Sequence, residues 1–409
     1  MYLADFHIHS QFSRATSRSM NIPELDQWAK LKGIHLLGTG DFTHFLWFHQ
    51  LREKLQPTER TGIYRYGQTD FVLTAEVCLI FERKGRAKKI HNIIISSSLQ
   101  NAEKINSFLE RYGDLNVDGR PVLHLEAEEL VRLVRSVDEY ALVIPAHVWT
   151  PHFSLFGSNS GFDTIEECFG RATEEIVALE TGLSSDPEMN WLWSRLDRFS
   201  LISNSDAHSP QKLGREMNVF KKAFDLPELK KILKEKDKEL FLFTVEYFPE
   251  EGKYHYDGHR QCKVRLTPEE TRKLNYLCPK CGRPVTVGVL HRVKQLADRK
   301  SGDYPARVIP FKKIVPLDQI IASVVNKPSE SVAVQSIYRE IVGKFGSEFA
   351  VLFAASEESL SHLLDSRIAE GILLMRQGRV HVQPGYDGEF GKVQILLESS
   401  ESEEQQALF

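Results

Sequence analysis

The sequence predicts an α/β protein: a parallel sheet, open or closed into a barrel, then a small metal-stapled module and a helical C-terminal part. Three observations predict this. Short apolar runs alternate with amphipathic helical patterns from the start to about Val245, as strand–helix–strand units require. A His-x2-Cys and a Cys-x2-Cys, His259–Cys262 and Cys278–Cys281, stand fifteen residues apart in a polar stretch. From Leu317 to Arg376 the pattern turns helical, with breaks near Pro328, Gly346 and Gly371.

The apolar runs are Tyr2–Phe6, Ile34–Gly38, Phe71–Ile80, Ile90–Ser96, Ala141–Pro145, Ile176–Leu179 and Leu201–Ser203. Between them lie amphipathic stretches such as Pro23–Leu31, Ala102–Tyr112 and Ala127–Val137. In such folds functional residues gather at the C-terminal ends of strands. At 409 residues two or three domains are expected. A hydrophobic share of 42% supplies a core, and a net charge of -4 argues against a strongly basic nucleic-acid coat but not against a local basic groove. Five cysteines, two of them in Cys278-Pro-Lys-Cys281, fit a reduced intracellular protein with a metal site. Asp5 and His7 interrupt any leader-like segment and no run reaches membrane-spanning length, so a cytoplasmic protein is expected.

Polar residues follow the runs with regularity. His7 and His9 end the first, two apart, so extended backbone points both imidazoles one way. Asp41 and His44 follow the second, Glu76 lies within the third, and His91 opens the fourth. His147 follows the fifth, and Asp206 and His208 follow the last. Eight residues, His7, His9, Asp41, Glu76, His91, His147, Asp206 and His208, exceed what one ion takes and suit two or three ions sharing a carboxylate, with Glu76 as the bridge. Nitrogen and oxygen donors without thiolate suit Zn²⁺, Mn²⁺ or Fe²⁺, with Mg²⁺ a weaker match. Ions ~3.5–4 Å apart are a common engine of phosphoester hydrolysis. Arg14 and Arg18, just past His9, either hold the phosphate or sit solvated at the surface.

In the middle segment, His259, Cys262, Cys278 and Cys281 match a structural tetrahedral zinc site, with His255 as a competing fourth ligand. Thr267-Pro268, with Glu269 and Glu270 in the first turn, opens a helix to Asn275. Cys78 and Cys168 sit in apolar or helical contexts and read as core. Gly288–Lys300 reads as a helix carrying His291, Arg292, Lys294, Arg299 and Lys300, either following a phosphate backbone or facing solvent. Pro305, Pro310 and Pro316 mark a linker, and Val380–Gln383 with Lys392–Leu396 forms a hairpin. The Ser/Glu/Gln-rich stretch Glu398–Gln406 is expected to be disordered.

The motif order resembles the PHP (polymerase and histidinol phosphatase) superfamily: His7-Ile-His9, Glu76, His91, Pro145-Ala146-His147 and Ser205-Asp206-Ala207-His208. The family's usual Thr-Asp-His is replaced by Gly38-Thr39-Gly40-Asp41, which puts Asp41 in the histidine's place. The resemblance implies a distorted (β/α)7 barrel with a trinuclear metal site. Phe6–Ser13, Pro145-Ala-His-Val-Trp-Thr-Pro151, Cys278-Pro-Lys-Cys-Gly282, Val287-Gly-Val-Leu-His-Arg-Val293 and Leu296-Ala-Asp-Arg299 narrow it. Together they resemble the endonuclease Q family, over nearly the whole chain through Pro384–Glu389. That family implies a DNA-repair endonuclease cutting 5′ of uracil, hypoxanthine, xanthine and abasic sites, with Asp206, His208, Glu76 and His147 catalytic. Arg14, Arg18, Arg292 and Lys294 would then contact DNA.

The implied division is a barrel over 1–246, a zinc module over 247–300, a helical domain over 301–397 and a tail over 398–409. A damaged base would be turned out of the stack for inspection, with Trp149, Phe153 and Phe156 as stacking candidates or barrel core. Sliding-clamp engagement is a further implication, of which Gln405-Gln-Ala-Leu408-Phe409 carries only a fragment. Two other functions compete: a small-molecule phosphatase like histidinol-phosphate phosphatase, and a DNA-binding scaffold without activity. The about 160 residues beyond the barrel favour a macromolecular substrate.

Overall fold

The structure, a computed structural model, describes residues 1–395. Its strands run in chain order as β1 (Tyr2–Asp5), β2 (Leu36–Gly38), β3 (Gln56–Pro57), β4 (Ile63–Tyr66), β5 (Thr69–Arg83), β6 (Arg86–Ser96), β7 (Val122–Leu123), β8 (Leu142–Pro145), β9 (Ala178–Glu180), β10 (Ser200–Ile202), β11 (Met217–Phe220) and β12 (Phe241–Glu246). Parallel pairing joins β1 to β2, with Ala4 opposite Leu36, and β2 to β5, with Leu37 opposite Phe71. These strands are buried on both faces, which is why they read as continuous apolar runs.

The expected parallel sheet is mixed instead. β5 and β6 form one long antiparallel hairpin, because Lys84 and Gly85 both adopt left-handed backbone (φ 52° and 71°) and close a two-residue turn. β6 pairs antiparallel with β8, and β11 pairs antiparallel with both β1 and β12. Nor do the ladders draw the closed seven-stranded ring that the resemblance implies. β9 and β10 form a separate parallel pair, joined to their neighbours by isolated bonds. Val148 N–H donates to Glu180 O (3.1 Å), and a single bridge links Ile8 to Ala207. Side chains fill the breaks: Asn204 Oδ1 accepts from Phe6 N (2.9 Å) and Asn218 Oδ1 from Ser203 N (3.0 Å).

Apolar side chains from both sheet faces and the covering helices make the core, with Phe6, Phe71, Trp47 and Phe220 fully enclosed. The helix Ile22–Lys32 is capped by Asn21, which accepts from Glu24 N, and stopped by Gly33 at φ 85°. A Cβ on Gly33 would meet Ser347 Oγ at 2.7 Å, so this helix end abuts the C-terminal part. Lys32 and Glu348 lock that contact. Lys32 Nζ lies 2.5 Å from Glu348 Oε2, and Glu348 also accepts from Tyr338 OH (2.7 Å) and Leu317 N (2.9 Å).

Beyond β12, a two-stranded sheet of β13 (Asp257–His259) and β14 (Val264–Leu266) precedes the helix Pro268–Lys273. That helix is shorter than expected and carries a capping box between Thr267 and Glu270. The helix Val289–Leu296 and the strand β15 (Phe311–Lys313), parallel to β12, lead to helices Leu317–Val325, Val332–Phe345, Glu357–Leu363 and Ser366–Arg376. The expected hairpin is present as β16 (His381–Gln383) and β17 (Lys392–Gln394). Its connecting loop clasps the small module: Asp387 accepts from Arg260 N and Thr286 Oγ1, both 2.6 Å. Cys78 and Cys168 are buried free thiols. Among the described residues no helix is long and apolar enough to cross a membrane. The expected disordered tail and the fragment Gln405–Phe409 lie outside the described residues.

Candidate metal centre

The strand ends bring seven of the eight expected residues into one cluster. His7 Nδ1 faces Glu180, 3.0 Å from each carboxylate oxygen, and His9 Nδ1 faces Asp41 Oδ1 at 3.0 Å. Each carboxylate fixes a ring by one nitrogen and leaves Nε2 aimed at a shared space. There His7 Nε2 lies 3.5 Å from Glu76 Oε2, while His9 Nε2 lies 3.2 Å from Glu76 Oε2 and 3.1 Å from Asp206 Oδ1. On the other side of Glu76, Oε1 is 2.7 Å from His91 Nδ1 and 3.0 Å from His147 Nε2. The donors form three overlapping triads: His7, His9 and Glu76; His9, Asp206 and His208; Glu76, His91 and His147.

The donor set fits metal ions. His7 Nε2, His9 Nε2 and Asp206 Oδ1 are buried, point into the cluster and make no hydrogen bond. Buried polar atoms without partners are costly, so a cation shared among them is their natural partner. Burial works against charge on Glu76 and Asp206, yet the facing imidazoles hold both carboxyls below their ordinary range. Burial likewise opposes charging His7 and His9, but Glu180 with Glu76, and Asp41 with Asp206, outweigh it and draw positive charge there. His91 behaves oppositely: burial pushes it down to about 4, against the pull of Glu76. Its imidazole is therefore neutral, the form that ligates metal. Asp41 (φ 50°), His147 (φ 30°) and Asp206 (φ 46°) all hold left-handed backbone, strain of the kind that collects at functional sites.

Asp41 departs from expectation. It belongs to none of the triads. Oδ1 is spent on His9, and Oδ2 accepts from Ser10 N (2.6 Å), Ser10 Oγ (2.7 Å) and Ser13 Oγ (2.9 Å). The carboxylate orients a ligand from behind. His44 is buried with its ring stacked on Phe12, 4.5 Å between centroids.

Two residues of the cluster escaped the sequence reading. Glu180 ends β9 and binds His7 Nδ1, His147 N (2.8 Å) and Asn204 Nδ2 (2.8 Å). Its signal was present, since it directly follows the run Ile176–Leu179 as the ligands follow theirs. Arg120, whose Nη1 lies 3.3 Å from Glu76 Oε2, arrives on a loop with no periodic signal.

The second cluster gathers His259, Cys262, Cys278 and Cys281, each offering one ligand atom within 4.8 Å of the others. A hydrogen bond from the Arg283 backbone leads the effects that draw the Cys281 thiol down to about 6, toward the thiolate that metal ligation needs. Gly282 (φ 70°) turns the chain behind it. His255 is buried elsewhere, its ring stacked on Tyr256.

The expected cationic helix face is largely spent internally. Arg292 is buried, donating to Phe156 O (2.9 Å), Phe162 O (3.1 Å) and Asp163 Oδ1 (2.5 Å), so it holds the loop after His147. His291 is buried against Asp257 (2.5 Å), Arg299 pairs with Asp197, and Lys294 pairs with Glu269 at 3.0 Å. Arg14 is exposed with Asp118 3.7 Å away, and Arg18 is exposed. Trp149 and Phe156 are core. Phe153 is half-buried, its ring 5.2 Å from that of His91.

A mixed α/β sheet with a buried nitrogen–oxygen donor cluster at its strand ends, together with a Cys/His cluster, defines the class: an α/β enzyme fold with candidate metal sites. Comparison with known proteins narrows it. Residues 316–379 match the family model "MJ0043 C-terminal domain". The chain is 35% identical to the uncharacterized protein MJ0043 of Methanocaldococcus jannaschii, over 60% of this chain and 31% of that protein's length. It is 28% identical to the uncharacterized protein YqxK of Bacillus subtilis, over 95% of this chain and 98% of the relative. Among solved structures, the lesion-specific endonuclease PfuEndoQ of Pyrococcus furiosus shares 32% identity at a TM-score of 0.86, over 97% of this chain and 96% of the other. An Endonuclease Q complex with a 27-mer duplex substrate carrying an abasic lesion at the active site matches equally, over 97% of both chains. The chain belongs to the endonuclease Q family.

Proposed function

We propose that this protein is a metal-dependent DNA-repair endonuclease, acting in the cytoplasm, that hydrolyses the phosphodiester bond 5′ of deaminated bases and abasic sites. The observation that carries the reading is the set of three overlapping ligand triads in a chain that aligns end to end with lesion-specific endonucleases. His7, His9, Glu76, His91, His147, Asp206 and His208 would hold two or three divalent ions, Zn²⁺, Mn²⁺ or Mg²⁺. Bound there, such ions supply Lewis acidity and make water a nucleophile near neutral pH. Glu76, shared by two triads, would serve ions on both sides; Asp41 and Glu180 orient His9 and His7, and Asp206, His208 and His147 would complete the reacting face. The segments β1, β2, β5, β6, β8, β9 and β10 then read as a distorted (β/α)7 barrel, interrupted where Asn204 and Asn218 replace ladder bonds. His259, Cys262, Cys278 and Cys281 would take one structural zinc ion.

A cleft of about 1340 Å³ opens on the protein surface. It lies between the β5–β6 hairpin and the small module, with His152, Tyr254, Tyr276, Arg86 and Lys88 in its walls. The test is a nicking assay on end-labelled duplexes carrying one uracil, hypoxanthine, xanthine or abasic site, with Mg²⁺ or Mn²⁺. A single cut 5′ of the lesion, absent from undamaged duplex and from Asp206→Ala protein, is the expected result. Hydrolysis of histidinol phosphate with no cut in any duplex would replace this reading with the small-molecule phosphatase.

A further inference from the structure

Among the described residues, Arg120 is the single lysine or arginine whose side chain pairs with a carboxylate of the ligand triads. Gly119 and Asp118 bring it there. A Cβ on Gly119 would meet Asp41 Oδ2 at 2.3 Å and Ser13 Oγ at 2.4 Å, so only glycine lets this loop pass so close behind His9. Asp118 Oδ1 accepts from both Arg120 N and Arg14 N (3.2 Å each), pinning the two backbones to one rim. The Arg120 side chain is 30% exposed and reaches from that rim to Glu76 Oε2, its one hydrogen bond to a described residue. The remaining guanidinium donors make no hydrogen bond to a described residue.

Glu76 Oε2 also lies 3.5 Å from His7 Nε2 and 3.2 Å from His9 Nε2. A cation held by those three would take the same lone pairs, leaving the guanidinium for a second anion. A planar fork of donors beside a metal cluster matches the non-bridging oxygens of a phosphodiester. Resting on the endonuclease reading above, the geometry points to Arg120 as a catalytic residue that binds the scissile phosphate and stabilises the charge that grows on it. In the hydrolysis, water oxygen bonds to phosphorus as the bond to the leaving sugar oxygen breaks with its electron pair. The water protons pass to that oxygen and to solvent. Arg120 stays protonated throughout and shares the negative charge on the non-bridging oxygens. Arg14 and Arg18, more exposed and without a triad contact, are left to flanking phosphates.

The test compares wild type, Arg120→Gln and Arg120→Lys on a lesion duplex. Single-turnover cleavage at saturating Mn²⁺ should fall about 100-fold or more in Arg120→Gln, and less in Arg120→Lys, which keeps a charge without the fork. A binding readout accompanies it. With Ca²⁺ as the only added divalent ion, wild type should bind the lesion duplex more tightly than one with a neutral methylphosphonate at the scissile linkage. Arg120→Gln should bind the two alike. If Arg120→Gln instead shifts only the Mn²⁺ midpoint and reaches the wild-type rate at saturation, the guanidinium is a counter-charge to Glu76 and the inference is overturned. If wild type cuts no lesion duplex, the endonuclease reading fails and this inference falls with it.

Discussion

Asp41 Oδ1 and His9 Nδ1 lie 3.0 Å apart at the back of the centre, and this contact decides how His9 presents its other nitrogen. With the proton held on Nδ1 by the carboxylate, Nε2 is the ligating lone pair.

Asp41→Asn keeps the shape and three of the surrounding donors but loses the charge that fixes the tautomer. The metal concentration needed for half-maximal occupancy should rise about 10–100-fold, read by calorimetric titration, with the melting temperature changed little. An unchanged titration would mean that His9 is oriented by its backbone alone.

The Cys278 thiol is buried in the small module, among a cluster of only four buried apolar residues. A module with so little core depends on its metal for folding. Cys278→Ser should lower the zinc content by one ion per chain in elemental analysis and melt the module. Metal binding by the centre at Glu76 should persist.

Lys32 and Glu348 are both almost fully enclosed. Lys32→Met would strand the Glu348 carboxylate, at a cost of about 3–5 kcal/mol in urea unfolding. Adding Glu348→Gln should recover most of that loss, since a buried pair contributes less than the penalty of breaking it. Equal losses in the single and double variants would show that the pair does not couple.

Glu246 is fully buried, and burial lifts its carboxyl from 4.5 to about 8 although Thr244, Ser203 and Thr181 donate to it. The folded form holds this proton where the unfolded chain has released it. Stability from this group is therefore full below about 4.5 and is lost as pH rises to about 8. In Glu246→Gln, which cannot titrate, the fall of melting temperature between those values should be shallower than in wild type. Identical pH profiles would show that Glu246 ionises freely in the fold.

Much of the centre was legible because its signals are local. His7 and His9 share a side through the two-residue period of extended chain, and the other ligands follow apolar runs that strand formation places at one end of a sheet. The Cys/His module was legible by spacing alone, and the capping box at Thr267 by residue type. Lys84-Gly85 carried the hairpin signal, yet the run reading placed β5 and β6 apart, so their antiparallel pairing went unread.

The sequence by itself determined the chemistry of the ligands, their strand-end order and the helical character of the C-terminal part. Only the tertiary structure decided that Asp41 stands behind His9, that Glu180 faces His7 from 173 residues away, that Arg292 is consumed inside and that Arg120 reaches Glu76. Residue type and period act over a few neighbours along the chain. Which carboxylate meets which imidazole depends on how distant strands are set against one another, and packing of the whole core fixes that.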